Sequence, residues 1–110
     1  MELGLADKRA FVSGSTQGIG YAIARNLAEE GAAVVVNGRT EERVGAAVER
    51  LRAAVPTAEV TGISADFADP GQVRALLGSL GEVDILVNNV GVFEVKAFEE
   101  ISDEDWQRYL

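Results

Sequence analysis

Three glycines fall within seven residues, GSTQGIG at positions 14–20, directly after the apolar run RAFVS at 9–13. Glycine adopts positive φ without strain, and without a Cβ atom its backbone can be approached closely. Where a strand passes into a helix, the free N–H groups of the first helical turn stabilise a phosphate. Ser15 and Thr16 add hydroxyl donors, and Ile19 is expected to anchor the helix start in the core. The loop therefore indicates phosphate binding.

The spacing of this loop is G-x-x-x-G-x-G, which differs from the G-x-G-x-x-G of the dinucleotide fingerprint. A glycine-rich loop alone is weak evidence, because a strand-to-helix turn without a ligand uses the same residue types. The apolar run before the loop and the helical pattern after it favour the phosphate interpretation, since the motif requires that context.

The composition narrows the classes of function. The 110 residues allow one small domain, 1–110, and the net charge of −8 argues against nucleic acid or an anionic membrane as a partner. The chain has no cysteine and no histidine, so we expect no metal site, no disulfide and no histidine base. Its start carries no apolar targeting segment, and no apolar run is long enough for a membrane span. We therefore expect a cytoplasmic protein.

Four short apolar runs predict β-strands, and the segments between them predict helices. The runs are 10–12, 33–36, 59–63 and 84–87, and two of them are apolar at successive positions, as in strands buried on both faces. The segments between them repeat apolar residues every three or four positions. These residues are Ile19, Ile23 and Leu27, then Val44, Ala47, Val48 and Leu51, then Val73, Leu76, Leu77 and Leu80.

Helix boundaries are also marked in the sequence. Gly31 suits the position after a helix, Thr40 and Asp69-Pro70 suit helix starts, and Ser102 begins a fourth helix. The strict alternation predicts an α/β fold, a doubly wound parallel sheet (Rossmann fold) with helices on both faces. We expect four strands in the order 3-2-1-4. The fourth helix shows no C-terminal signal, so we expect the chain to be truncated before the remaining strands of such a fold.

Three motifs together resemble one family. Residues 13–20, SGSTQGIG, resemble the TGxxxGIG motif of the classical short-chain dehydrogenase/reductase family, with Ser13 in place of the first threonine. Residues 88–91, NNVG, resemble its NNAG motif after the fourth strand, with Val90 in place of alanine. Asp66 matches the family aspartate that follows the third strand. The resemblance covers the whole chain, but only the N-terminal, cofactor-binding part of a family member.

The resemblance implies a nicotinamide dinucleotide bound at the carboxyl ends of the strands. Asp66 would hydrogen-bond the adenine amino group, and Asn89, Val90 and Gly91 would line the adenosine ribose and the nearby cofactor. Plainer alternatives exist for these residues. Asp66 could be an ordinary loop or capping aspartate, and an asparagine pair is common in turns.

The end of the second strand favours NADP(H) over NAD(H). An NAD site needs a carboxylate there for the ribose 2′-OH, but this chain has Gly38 followed by Arg39. A guanidinium matches a 2′-phosphate with paired donors, and Asn37 and Thr40 could add neutral hydrogen bonds. The alternative is a solvated arginine before a helix capped by Thr40. The residues expected to bind the cofactor are therefore Gly14, Ser15, Thr16, Gln17, Gly18, Ile19, Gly20, Asn37, Gly38, Arg39, Thr40, Asp66, Phe67, Asn89, Val90 and Gly91.

None of the catalytic residues that the resemblance implies is present in these 110 residues. The family uses a tyrosine with a lysine four residues on, plus a serine and an asparagine. Tyr21 is followed four residues later by Arg25 and is interpreted as structural, and no residue lies four places after Tyr109. The catalytic asparagine would follow on the helix that begins at Ser102.

Two hypotheses follow. In the first, the chain is the cofactor-binding part of an NADP(H)-dependent oxidoreductase with a small carbonyl or alcohol substrate, and the full-length form is a homo-oligomer. In the second, it is a non-catalytic nucleotide-binding module or pseudo-enzyme. A methyltransferase-like domain is disfavoured, because its second strand should end in an acid where Arg39 follows here.

Overall fold

The computed structural model describes residues 5–89, which form four strands and three helices in strict alternation. The elements are β1 (Arg9–Val12), α1 (Gly18–Glu29), β2 (Ala33–Gly38), α2 (Glu41–Ala54), β3 (Val60–Ser64), α3 (Pro70–Leu80) and β4 (Ile85–Val87). All strand pairs are parallel, and the order across the sheet is β3-β2-β1-β4. The predicted fold class and strand order are confirmed. The helix predicted from Ser102 lies outside the described residues.

The successive apolar residues of β1 and β2 are buried because the sheet is covered on both faces. Val12, Val34 and Val36 pack with residues of α1 and α2 in one cluster. Phe11 and Val35, which point to the opposite face, pack with residues of α3 in a second cluster. A strand with helices on both sides has no polar face, which explains why these runs do not alternate.

The helix ends follow the signals in the sequence. Thr40 caps α2, its Oγ1 accepting the N–H of Arg43 at 3.2 Å. Asp69 caps α3 by accepting the N–H groups of Gly71 and Gln72, and Pro70 begins the helix. Gly31 follows α1 with a φ of +100°, a conformation that favours glycine. These boundaries are set locally, which is why the sequence predicts them.

The expected anchoring of Ile19 in the core is wrong. Its side chain is 73% exposed, whereas the buried face of α1 consists of Gly20, Tyr21, Ala24 and Ala28. The small residues at 20, 24 and 28 repeat every four positions, as the large residues of the predicted stripe do. They allow the helix to approach the sheet closely. Of that stripe, Ile23 and Leu27 are partly buried against the core.

No helix within residues 5–89 is long and apolar enough to cross a membrane.

Candidate functional site

The glycine loop joins β1 to α1 and is held in a conformation that requires glycine at two positions. Gly14 has a φ of +56° and Gly18 a φ of +62°, both in the left-handed region. Between them Ser15 is fully buried, and its hydroxyl donates to the carbonyl of Val12 at 2.7 Å. The loop is therefore a fixed turn at the carboxyl end of β1.

The glycines of this region lack a side chain for two different reasons. A Cβ atom on Gly20 would lie 2.2 Å from the carbonyl oxygen of Gly14 and 2.7 Å from Nδ2 of Asn89, so this position is needed for packing. A Cβ atom on Gly18 would meet no atom within 4 Å. Gly18 therefore exposes its backbone to open space in front of the helix, where a ligand can approach it.

Asn37, at the end of β2, connects three strand ends through its side chain. Its Oδ1 accepts the N–H of Gly14 at 3.1 Å, and its Nδ2 donates to the carbonyl of Ile63 at 3.0 Å. Its backbone N–H donates to Oγ of Ser15 at 2.9 Å, and its backbone carbonyl accepts the N–H of Ser15 at 2.8 Å. Only 1% of Asn37 is exposed. Its amide thus positions the glycine loop, and the neutral hydrogen bond to a ligand expected of it does not fit this burial.

Residues 88–89 also hold the loop from the other side of β1. Oγ of the buried Ser13 accepts the N–H of Asn89 at 2.8 Å, and Nδ2 of Asn89 donates to the carbonyl of Gly14 at 3.2 Å. The hydroxyl of Ser13 lies 3.3 Å from Oδ1 of Asn88 and from the carbonyl of Val87. The structure therefore brings the first and the fourth strand motifs together. Val90 and Gly91 lie outside the described residues.

These strand ends border a cleft of about 400 Å³. Most of the residues predicted at the ends of β1, β2 and β3 line this cleft. Arg43 also lines it, although the sequence analysis did not predict it as a site residue. Its lining is Gly14, Thr16, Gln17, Asn37, Gly38, Arg39, Arg43, Ala65, Asp66, Phe67 and Ala68. Predicted residues that do not line this cleft within the described part are Ser15, Gly18, Ile19, Gly20, Thr40 and Asn89.

The position of Arg43 in the sequence could have identified it as a candidate site residue. It lies in the first turn of α2, outside the predicted apolar stripe, and only four positions after Arg39. A second cation so close to the end of β2 is a candidate for the same ligand. The helical pattern identifies the buried face alone, so this charge resembled an ordinary solvated residue.

The turn after β3 fixes Asp66. Oδ1 of Asp66 accepts the N–H of Ala68 at 2.9 Å, and the N–H of Asp66 donates to Oε1 of Gln72 at 2.8 Å. Phe67 is only 9% exposed and packs in the α3 core cluster, so most of its ring supports the floor of the cleft. Asp66 thus presents a partly buried acid at the wall of the cleft.

Other candidate chemistry is not found among residues 5–89. No group of three or more acidic residues is placed to hold a metal ion in this part of the chain. Tyr21 is 5% exposed, and the guanidinium of Arg50 lies 4.1 Å from the centre of its ring. Tyr21 is a core residue, as the sequence interpretation held.

The fold and the cleft together define a doubly wound α/β domain with a glycine loop at the end of its first strand, the class that binds nucleotides. Comparison with known families agrees with this assignment. The family described as short chain dehydrogenase matches residues 8–110. The chain belongs to the short-chain dehydrogenase/reductase family.

Characterised and uncharacterised oxidoreductases are similar to this chain. It is 44% identical over its whole length to the uncharacterized oxidoreductase YvaG of Bacillus subtilis (strain 168) and covers 42% of that protein. It is 37% identical to a 3alpha-hydroxysteroid dehydrogenase of Mediterraneibacter gnavus, with 96% of this chain and 44% of that protein covered. The chain therefore spans less than half the length of these relatives.

Solved structures agree in fold. The L-sorbose reductase of Gluconobacter frateurii, complexed with NADPH and L-sorbose, superposes with a TM-score of 0.73 at 37% identity, over 97% of this chain and 42% of that one. RhlG of Pseudomonas aeruginosa, in an NADP complex, gives a TM-score of 0.72 at 37% identity, over 80% and 36% of the two chains.

Proposed function

We propose that this chain is the cofactor-binding part of an NADP(H)-dependent oxidoreductase whose substrate is a small carbonyl or alcohol compound. The chemistry that NADP(H) supplies when bound is hydride transfer between its nicotinamide and that carbonyl/alcohol pair. The proposal rests on the family membership, on the geometry of the cleft, and on the NADPH and NADP complexes of similar structures. The full-length protein is proposed to be a cytoplasmic homo-oligomer.

Two observations together carry the proposal. There is free space in front of Gly18, and no carboxylate stands at Gly38 or Arg39, where β2 ends. The free space at Gly18 leaves the backbone N–H groups of the α1 start accessible to a pyrophosphate. Within the cleft, Gly38 and Arg39 stand at the end of β2, where the 2′-OH of NAD(H) would need a carboxylate. A guanidinium attracts a 2′-phosphate, which a carboxylate would repel.

The other residues of the chain have distinct tasks in this proposal. Asn37, Ser13 and Asn89 hold the loop through the hydrogen bonds described above, so it is ordered before the cofactor arrives. Asp66 offers a carboxylate as an acceptor for the adenine amino group, and Thr16 and Gln17 line the same cleft. No residue of this chain is assigned a proton-transfer role, which is proposed to belong to the remaining length of the protein.

The proposal is tested by the binding of NADPH and NADH to the full-length protein, followed by nicotinamide fluorescence. We expect NADPH to bind more tightly than NADH. Gly18→Ala should weaken the binding of both nucleotides, because the new methyl group occupies the space through which the ligand reaches the backbone. Gly81→Ala is the matched control, since Gly81 also has a positive φ, +69°, and a Cβ atom there makes only an ordinary contact, but it lies at the end of α3, outside the cleft. Equal effects of the two variants, or no binding by the unchanged protein, would contradict the proposal.

A further inference from the structure

We infer that Arg43 is a second cation for the 2′-phosphate of NADP(H), acting together with Arg39, and this inference rests on the proposed function. Arg43 lines the same cleft as Arg39, Gly38 and Asp66. The inference therefore adds a residue that determines the choice between the two nicotinamide cofactors.

The arginines of the described part differ in the partners of their side chains. Within residues 5–89, every arginine except Arg39 and Arg43 makes a side-chain contact inside the chain. The guanidinium groups of Arg9 and Arg52 donate to backbone carbonyls, that of Arg25 pairs with Glu29, and that of Arg50 lies over Tyr21. Arg74 also has an interaction within the chain.

Arg39 and Arg43 are thus the two guanidinium groups of the described part that keep their donors available, and both border one cleft. In a chain with a net charge of −8, two unpaired cations on one wall create a local positive potential. A guanidinium presents its donors in a planar fork that matches a phosphate group. Two such groups suit the dianionic charge of a 2′-phosphate better than one.

The backbone of Arg43 is fixed by the cap of α2. Its N–H donates to Oγ1 of Thr40 at 3.2 Å in the cap of α2, so the first helical turn is fixed where Arg43 emerges. Asp66 is the one carboxylate among the described lining residues, and within residues 5–89 it forms no ion pair with Arg39 or Arg43. The donors of both guanidinium groups are therefore available to a ligand in the cleft.

The test measures the dissociation constants of NADP⁺, NAD⁺ and adenosine 2′,5′-bisphosphate on the full-length protein by calorimetry. For Arg43→Gln we expect NADP⁺ and the bisphosphate to bind about tenfold more weakly, as for the loss of a hydrogen bond to a charged group. The affinity for NAD⁺ should not change, because NAD⁺ carries no 2′-phosphate. Arg43→Lys keeps the charge but not the planar fork of donors. Its affinity for NADP⁺ should therefore lie between those of the unchanged protein and Arg43→Gln.

Arg50→Gln is the matched control. It removes one charge from the same helix about 10 Å further along, where the guanidinium contacts Tyr21. If Arg43→Gln changes the NADP⁺ to NAD⁺ ratio no more than Arg50→Gln does, the inference is overturned. A loss of NADP⁺ binding in Arg39→Gln would then still support the proposed function. An unchanged protein that binds NAD⁺ as tightly as NADP⁺ would overturn both.

Discussion

A Cβ atom at position 38 would lie 2.4 Å from Cγ2 of Thr16 and 3.2 Å from Cγ2 of Val44. The methyl group of Thr16 therefore occupies the space where the side chain of residue 38 would begin. An aspartate at the end of β2, as an NAD site needs, would collide with the packing of the glycine loop. The proposed preference for NADP(H) therefore involves two residues from different segments, Gly38 and Thr16.

This packing predicts the outcome of an attempt to reverse the proposed cofactor preference. Gly38→Asp alone should weaken NADP⁺ binding and lower the free energy of unfolding by about 1–3 kcal/mol, because Thr16 must move. Adding Thr16→Ser, which removes the Cγ2 methyl group, should restore stability and shift the preference toward NAD⁺. Thr16→Ser by itself is the control.

Calorimetric affinities for the two nucleotides, together with urea unfolding of each variant, check this prediction. If Gly38→Asp is as stable as the unchanged protein and gains NAD⁺ binding without the second substitution, the steric argument is wrong. The charge argument would then be sufficient to explain the preference.

At the scale of elements, the start of α3 is stabilised by a cap that depends on ionisation. The carboxylate of Asp69 accepts a hydrogen bond from Nε2 of Gln72 at 3.2 Å, and from the N–H groups of Gly71 and Gln72. The side-chain hydrogen bond from Gln72, followed by the backbone hydrogen bonds, lowers the pKa of Asp69 below its ordinary value of 3.8. Through its other amide atom, Gln72 also accepts the N–H of Asp66.

The cap therefore predicts that the free energy of unfolding decreases as the pH falls into the acidic range. A carboxyl with a lowered pKa in the folded state stabilises the protein fully above its unfolded pKa, and this contribution is lost as the pH falls below about 4. Asp69→Asn keeps an acceptor for the cap but does not titrate there, so the loss of stability in this range should become shallower.

Urea unfolding over a series of acidic pH values measures this difference. Glu49→Gln is the control, because within the described residues no hydrogen bond to the Glu49 carboxylate is seen. A pH dependence of Asp69→Asn that matches that of the unchanged protein would rule out the capping contribution.

Helices and strands were predictable where they depend on neighbouring residues or on a pattern that repeats along the chain. The caps at Thr40 and Asp69 and the buried runs of β1 and β2 follow from neighbouring residues alone. The buried face of α1 was less accessible, because glycine and alanine carry little hydrophobic signal although they permit close packing. Large residues such as Ile19 dominated the pattern and pointed to the adjacent face.

The site was predictable as a set of strand ends, but the task of each side chain was not. Asn37 was predicted to hydrogen-bond the ligand because it precedes Gly38 and Arg39. Its side-chain amide instead donates to the carbonyl of Ile63, 26 residues away. Arg43 was missed for the opposite reason, since an exposed charge on a helix has no periodic signal. Such tasks depend on contacts between distant segments, which a single sequence does not display.

At the scale of the whole molecule, the two outer strands of the described sheet differ in their protection. At β3, Thr61 and Gly62 are exposed, and the guanidinium of Arg52 covers the carbonyl of Val60 with bonds of 3.1 and 2.6 Å. At β4, the sequence Ile-Leu-Val is half-buried, and within residues 5–89 it pairs with β1 on one side only. An apolar outer strand without such protection promotes pairing with other chains.

This asymmetry predicts that a polypeptide of residues 1–110 expressed alone self-associates. Its unfolding midpoint should rise with protein concentration, because association stabilises the folded form by mass action. The full-length protein, in which further chain is proposed to cover β4, is the control and should show a weaker dependence. Light scattering and urea unfolding across a wide concentration range measure both. A sharp unfolding transition of a monomer at every concentration would show that β4 needs no covering partner, and that the four described strands suffice for a stable domain.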